Sequence, residues 1–379
     1  NAGWVFIASP FNTATAPTEV TNLVSGTFGD YDLYRLDESS AANSEWVNYK
    51  TGESAVDENF KLVNGQGYLY ANKENQTLMF QGGTYNSNSS KEIELSYTSG
   101  STVEGINLIG NPFPTEAYLN RSYYVMNAAG DGCDPVLAYT TTRIAPCTGV
   151  VVVANATGET ATFSTTAPTE SSNNNGDLHI SLSQQVNRGV ANIDKIIVSF
   201  NANDRLGKFT FMEKDAKVYI AQNGKDYAIV PANGADETPL CFKAVKNGEY
   251  TLTVTPENVE MNYLHLVDNL TGTDTDLLAN PSYTFTGSPA DYPSRFRLVY
   301  DANGIENNDI DMSGDFAFIS GDHIVVNGQG VLQVFDLTGR MINSANVSQD
   351  MSTNGMAKGV YMLRLINDGN VKTQKIVVK

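Results

Sequence analysis

The chain has 379 residues, of which 10% are aromatic and 17% charged, and a formal charge of 24 − 42 = −18. A field of that sign repels phosphate backbones and anionic lipid surfaces, which argues against nucleic-acid binding and electrostatic membrane docking. No apolar run reaches the ~18 residues of a membrane-crossing helix, and three cysteines without a C-x-x-C pair make neither a disulfide scaffold nor a zinc site.

Thirty-two glycines with many tyrosines and phenylalanines favour short strands joined by tight turns. The length corresponds to about two to three domains. The chain opens almost directly into a strand pattern, GWVFIASPF. It reads as the C-terminal part of a longer protein; the alternative is a chain whose leader has been removed.

The first region repeats itself. Gly3–Phe11 (GWVFIASPF) recurs as Gly105–Phe113 (GINLIGNPF), and Ala71-Asn72, Thr77 and Phe80 recur as Ala154-Asn155, Thr160 and Phe163. Ile93-x-Leu95-Ser96 matches Ile180-x-Leu182-Ser183, each after a Ser/Asn-rich loop. The loop at 171–176 therefore reads as a hairpin inside a duplicated domain rather than as a linker. That domain is expected to span 1–185, with repeats of about 1–98 and 99–185 closing as one sandwich or barrel. Pro10 and Pro112 close their strands, since proline cannot donate to a ladder. A short helix is expected at Thr18–Leu23, just after Pro17.

From 186 to 301 the alternation has period two. Tyr250, Leu252 and Val254 oppose Thr251, Thr253 and Thr255, while Phe296, Leu298 and Tyr300 alternate with outward Arg295 and Arg297. Asn223-Gly224 and Asn247-Gly248 are hairpin turns. An antiparallel sandwich follows. The phrases DKIIVSFN, KVYIAQNGKDYAIV, GEYTLTV, YLHLVDNLTGTDTDLLANPSYTF and SRFRLVY resemble a module near the C-termini of large surface and secreted proteins of the Bacteroidetes. GWVFIASPF and GINLIGNPF resemble the segment that precedes it there. The resemblance implies no enzymatic activity.

The third region, 302–379, begins with a polar linker and continues as short strands at Phe316–Ser320, His323–Asn327, Val331–Asp336, Met341–Val347, Val360–Ile366 and Val371–Val378. VLQVFDLTGRMI, GMAKGVYMLRL and VKTQKIVVK resemble the C-terminal sorting domain of type IX secretion cargo. The strand alternation turns Tyr361, Leu363 and Leu365 toward a small core; the resemblance implies a small β-sandwich, the secretion machinery as partner, and a secreted or outer-membrane surface location.

No constellation spells out a reaction. Asp309-x-Asp311-x-Ser313-Gly314-Asp315 imitates the start of a calcium loop, but the twelfth position is Ser320 where a bidentate glutamate is needed. It reads as solvated linker, and neither metal nor cofactor is expected. Asn127–Asp134 reads as a turn. The G-x-G at Gly65–Gly67 leads into a strand, not the helix of a dinucleotide site. His179, His265 and His323 sit in three separate strands, and no G-x-S-x-G elbow accompanies them. Cys133 and Cys147 are close enough in sequence to bridge, or they are separate buried thiols. Among the aromatics clustered in the first repeat with Trp4, the residues Trp46, Tyr49, Tyr68 and Tyr70 are the candidate ligand site, as a flat face for a sugar; the competing reading makes them core.

The expectation is an all-β chain of serial antiparallel domains acting as a non-enzymatic, adhesin-like binding or presentation module. Its partner would be a glycan or a host protein. The alternatives are an accessory region of a glycan-degrading enzyme whose catalytic domain lies upstream, and a structural stalk.

Overall fold

The computed structural model describes residues 3–378 apart from 41–43, 139–141, 168–175, 187–188, 201–204, 212–215, 223, 233–236, 303–315, 321, 327, 337–338, 348–349 and 368–369. The chain is all-β: among the described residues, helix is confined to one 3₁₀ turn, Pro17–Glu19. It divides into two compact units, Asn1–Ser172 with Phe209–Met212, and Asn173–Lys208 with Glu213–Lys379. The acidic 309–315 stretch and most of the 171–176 loop lie outside the described residues.

In the first unit, Val5–Ala8, Gly67–Asn72, Tyr31–Leu36 and Trp46–Asn48 lie side by side in that order. A second sheet has the same chain-order pattern: Ile106–Gly110, Gly149–Val153, Tyr123–Met126, Cys133–Val136. A third joins Ser90–Glu94 to Thr160–Ser164 and Tyr118–Leu119, so strands from the two sequence halves pair directly. The two larger sheets meet where glycine removes the side chain. A Cβ on Gly67 would lie 2.6 Å from the Ile109 carbonyl oxygen, and one on Gly110 2.4 Å from the Ala8 Cβ. The helix expected at Thr18–Leu23 stops after one turn. Val20 and Leu23 are both buried, and Asn22 takes a positive φ of 66°, which a helix cannot continue through.

The expected boundary near 185 is corrected by the ladder. Asp177–Val186 pairs with Gly189–Ser199 on one side and Gly248–Glu257 on the other, placing it in the second unit. Ile180 opposes Val254 and Leu182 opposes Leu252, which puts four apolar side chains on one inner face. Its sequence counterpart Ile93 instead faces Ala161 in the first unit. In the opposite sense, Phe209–Phe211 leave the second region and join the first unit, with Phe209 edge-on to Tyr124 at 5.7 Å.

The second unit carries a curved eleven-stranded sheet, antiparallel except where Ile197–Ser199 runs parallel to Ile229–Pro231. The expected inward sets hold, since Tyr250, Leu252, Val254, Phe296, Leu298 and Tyr300 are all buried. Arg295 does not point outward. The strand starts only at Phe296, so the alternation does not reach back to Arg295. Its guanidinium is 2% exposed and grips the fully buried Asp268 through two bonds, Nε to Oδ1 at 3.0 Å and Nη2 to Oδ2 at 2.7 Å. Further bonds to the Thr286 carbonyl and Asp291, and the Phe285 and Phe296 rings within 5.0 Å of its Cζ, complete the shell.

The C-terminal domain is two sheets around one core. Ala317–Ser320, His323–Val326 and Asp350–Ser352 form one; Met341–Val347, Gly330–Phe335, Gly359–Asn367 and Asn370–Val378 form the other. Tyr361, Leu363 and Leu365 enter the shared core with Ile324 and Leu332, as expected. The four-stranded sheet also docks by its outer face on the preceding sandwich. Val331, Ile366 and Val371 pack with Tyr219, Ala221 and Cys241. Fully buried Gln333 donates to the Ser294 carbonyl at 2.9 Å, the Tyr292 hydroxyl donates to the Ile342 carbonyl at 2.8 Å, and buried Arg364 pairs with Glu237, which also holds Arg297.

Two expectations follow. Arg295→Ala strands the Asp268 carboxylate and should cost about 3–5 kcal/mol, read as a shifted urea midpoint; Asp268→Leu/Arg295→Met should recover most of that loss. A midpoint unchanged in Arg295→Ala would remove the pair from the fold's supports. Second, Cys241 is buried beneath the docked sheet, and burial pushes its thiol up to about 12, so iodoacetamide at pH 8 should leave it unmodified. In Gln333→Ala/Arg364→Ala its labelling, followed by peptide mass, should rise roughly tenfold as docking opens. Equal rates in the two proteins would mean that these polar contacts do not hold the domain down.

Candidate functional site

The aromatics singled out in the first repeat are brought together, but inside. Tyr49, Tyr68 and Tyr70 are 4%, 0% and 4% exposed and share a core with Leu33, Phe60 and Leu62. Phe60 sits between Tyr49 and Tyr68, its ring centre 5.5 and 5.7 Å from theirs. The Tyr68 hydroxyl donates to the Lys61 carbonyl and accepts from the Val63 N–H, both at 2.7 Å, and burial pushes its pKa up. Trp46 is half-buried on the edge strand, edge-on to Phe211 at 6.2 Å. The three tyrosines are corrected to structural aromatics, since none of them offers a ring face to a sugar; Trp46 keeps part of its ring exposed.

A polar cleft of about 270 Å³ lies beside this core, lined by Leu36, Glu38, Asn64, Gln66, Ser96 and Asn107 among others. Several of its polar groups are engaged with neighbouring loops. The buried Glu38 carboxylate accepts from the backbone N–H groups of Thr98 and Gly105 and from the Thr98 hydroxyl, all at 2.8 Å. Asn64 donates to the carbonyls of Ser9 and Pro112 and accepts Lys91 Nζ at 2.6 Å. Burial pushes the Lys91 ammonium down from its ordinary value. The cleft is a place where loops are fastened.

The histidines stay apart, each against one acid: His179 with Glu257 at 3.4 Å, His265 with Asp274 at 2.7 Å, His323 with Asp322 at 2.8 Å. Cys133 and Cys147 are free thiols, and desolvation raises both, Cys133 to about 12. A thiol held neutral in this way is a poor nucleophile. Among the described residues, no three His, Cys, Asp or Glu side chains converge as a metal set.

One open aromatic surface escaped the sequence reading. Tyr263 and His265 are two apart on the Met261–Asp268 strand, so they share its outer face. Their rings stack at 4.0 Å with a 2° tilt, and Tyr263 is 41% exposed. Asp274 holds the imidazole from the neighbouring Thr273–Asp276 strand. The signal is the Tyr-x-His spacing, which puts both rings on one face of the strand.

The remaining candidate is the C-terminal domain itself. Its last strand is tied to its first by Gln374, which accepts from the Phe316 and Ala317 N–H groups at 2.7 and 2.8 Å and donates to the Ala317 carbonyl. The chain end is thus stitched into a closed two-sheet body. No helix among the described residues is long and apolar enough to cross a membrane. No curated protein and no solved structure shows a significant match to the chain. Residues 318–379 match the family described as "Secretion system C-terminal sorting domain"; with this type IX sorting domain at its C-terminus, the protein is secreted or attached at the cell surface.

Proposed function

We propose that the chain is a non-enzymatic, adhesin-like module that type IX secretion delivers to the cell surface or medium, where it binds a glycan or a host protein. The observation that carries the delivery half is the sorting-domain match at 318–379. The non-enzymatic half is supported by how three buried ionisable groups are used. Glu38 caps loop N–H groups, Asp268 holds Arg295, and Lys208 donates to Asp194 at 2.6 Å. Each is bonded to a charged partner or to backbone N–H and C=O groups. The shared strand order of the two larger sheets in the first unit supports reading them as duplicate copies of one scaffold.

The surface best suited to a ligand is the Tyr263–His265 stack, whose outer ring face is open while Asp274 offers an acceptor beside it. The chain should show saturable binding on an array of glycans and host proteins, and Tyr263→Ala should weaken glycan binding roughly tenfold. Absence of saturable binding would favour a structural stalk. In a bacterium with active type IX machinery, removing residues 318–379 should leave the protein in the periplasm. Surface exposure unchanged by the deletion would count against the delivery reading.

A further inference from the structure

We propose that the uncovered half of the sorting domain's outer sheet is the surface that engages the export machinery, through a partner presenting apolar side chains rimmed by carboxylates. This rests on the reading of the domain as an export signal. Directly opposed residues of an antiparallel pair share a face. By that register, Val331, Ile366 and Val371 form one outer row and Gln333, Arg364 and Thr373 the next. The chain's own second sandwich covers most of these two rows, through Val331, Gln333, Arg364, Ile366 and Val371. The same register continues the face with Phe335, Met362 and Lys375, then Val360 opposite Val377.

This second half is as apolar as the first yet open. Met362 is 37% and Val377 49% exposed, and Phe335 and Val360 are partly so. A face whose one half is already a protein–protein contact continues, without a change of chemistry, into solvent. Contiguous apolar surface of this kind marks an interaction site.

Charge selects the kind of partner. Residues 318–379 carry six Lys/Arg and four Asp/Glu, a net +2, while the rest of the chain carries 18 − 38 = −20. Lys375 stands in the open row, exposed, and makes no ion pair with another described residue. A complementary surface would therefore be apolar with acidic groups at its rim. The domain would be read from its undocked half while the cargo sandwich keeps the other half covered.

The test is export of the full chain in a bacterium with active type IX machinery. The variants are Met362→Glu/Val377→Glu, Lys375→Glu, and Phe318→Glu on the opposite sheet, where Phe318 is 51% exposed. Thermal unfolding of the purified proteins checks that each stays folded, and Lys375→Glu serves if the double variant does not. Surface-exposed protein should fall roughly tenfold in the double variant and roughly threefold in Lys375→Glu. It should remain at the wild-type level in Phe318→Glu. Wild-type export of the folded double variant, with the 318–379 deletion retained inside, overturns this surface and leaves the delivery reading intact. Export of the deletion as well overturns both. A wild-type dimer that the double variant dissociates, with export unchanged, assigns the face to a second copy of the chain and likewise overturns the proposal.

Discussion

Every strand must find its hydrogen-bond partners in another strand, and in a chain whose described residues hold one 3₁₀ turn this constraint governs everything else. A helix closes its own backbone bonds; a strand cannot. The position of each segment is therefore decided by which other segment completes its ladder. Asp177–Val186 shows the consequence. Its local pattern equals that of Ile93–Ser96, yet it lies between Gly189–Ser199 and Gly248–Glu257 because those strands complete both of its edges. The domain boundary moves with it.

Polar groups taken inside by this architecture serve as fasteners. Asp268 and Arg295 are buried together because each satisfies the other and because Tyr283, Thr286 and Asp291 take the remaining bonds. Glu38 joins three donors in the first unit, and Glu237 joins Arg297 to Arg364 across the docked domain. A chain with 42 acids offers many pairs that could imitate a catalytic set. Glu38, Asp268 and Glu237 are instead bonded to their surroundings.

The sorting domain is at once a folded body and part of a larger one. Its inner face closes on its own core, half of its outer face closes on the neighbouring sandwich, and the remainder is open. Docking by side chains such as Gln333 and Arg364, which would be exposed in an isolated sandwich, makes the export signal continuous with its cargo. The open half carries positive charge on an otherwise acidic protein, a contrast that distinguishes it electrostatically from the surface it delivers.

The all-β class, the period-two strands and the wording of the tail were legible in the order of residues alone. Tyr250-x-Leu252-x-Val254 declares its buried face whatever it packs against, and the tail strands appear within a residue or two of where they were expected. Only tertiary structure decided that Tyr49, Tyr68 and Tyr70 are core while Tyr263 is open, that Arg295 is buried, and that the tail docks by half of one face. A pattern of period two says that a strand has two unlike faces. It does not say which neighbour covers each, because ladder partners and covering layers come from residues far away in the chain.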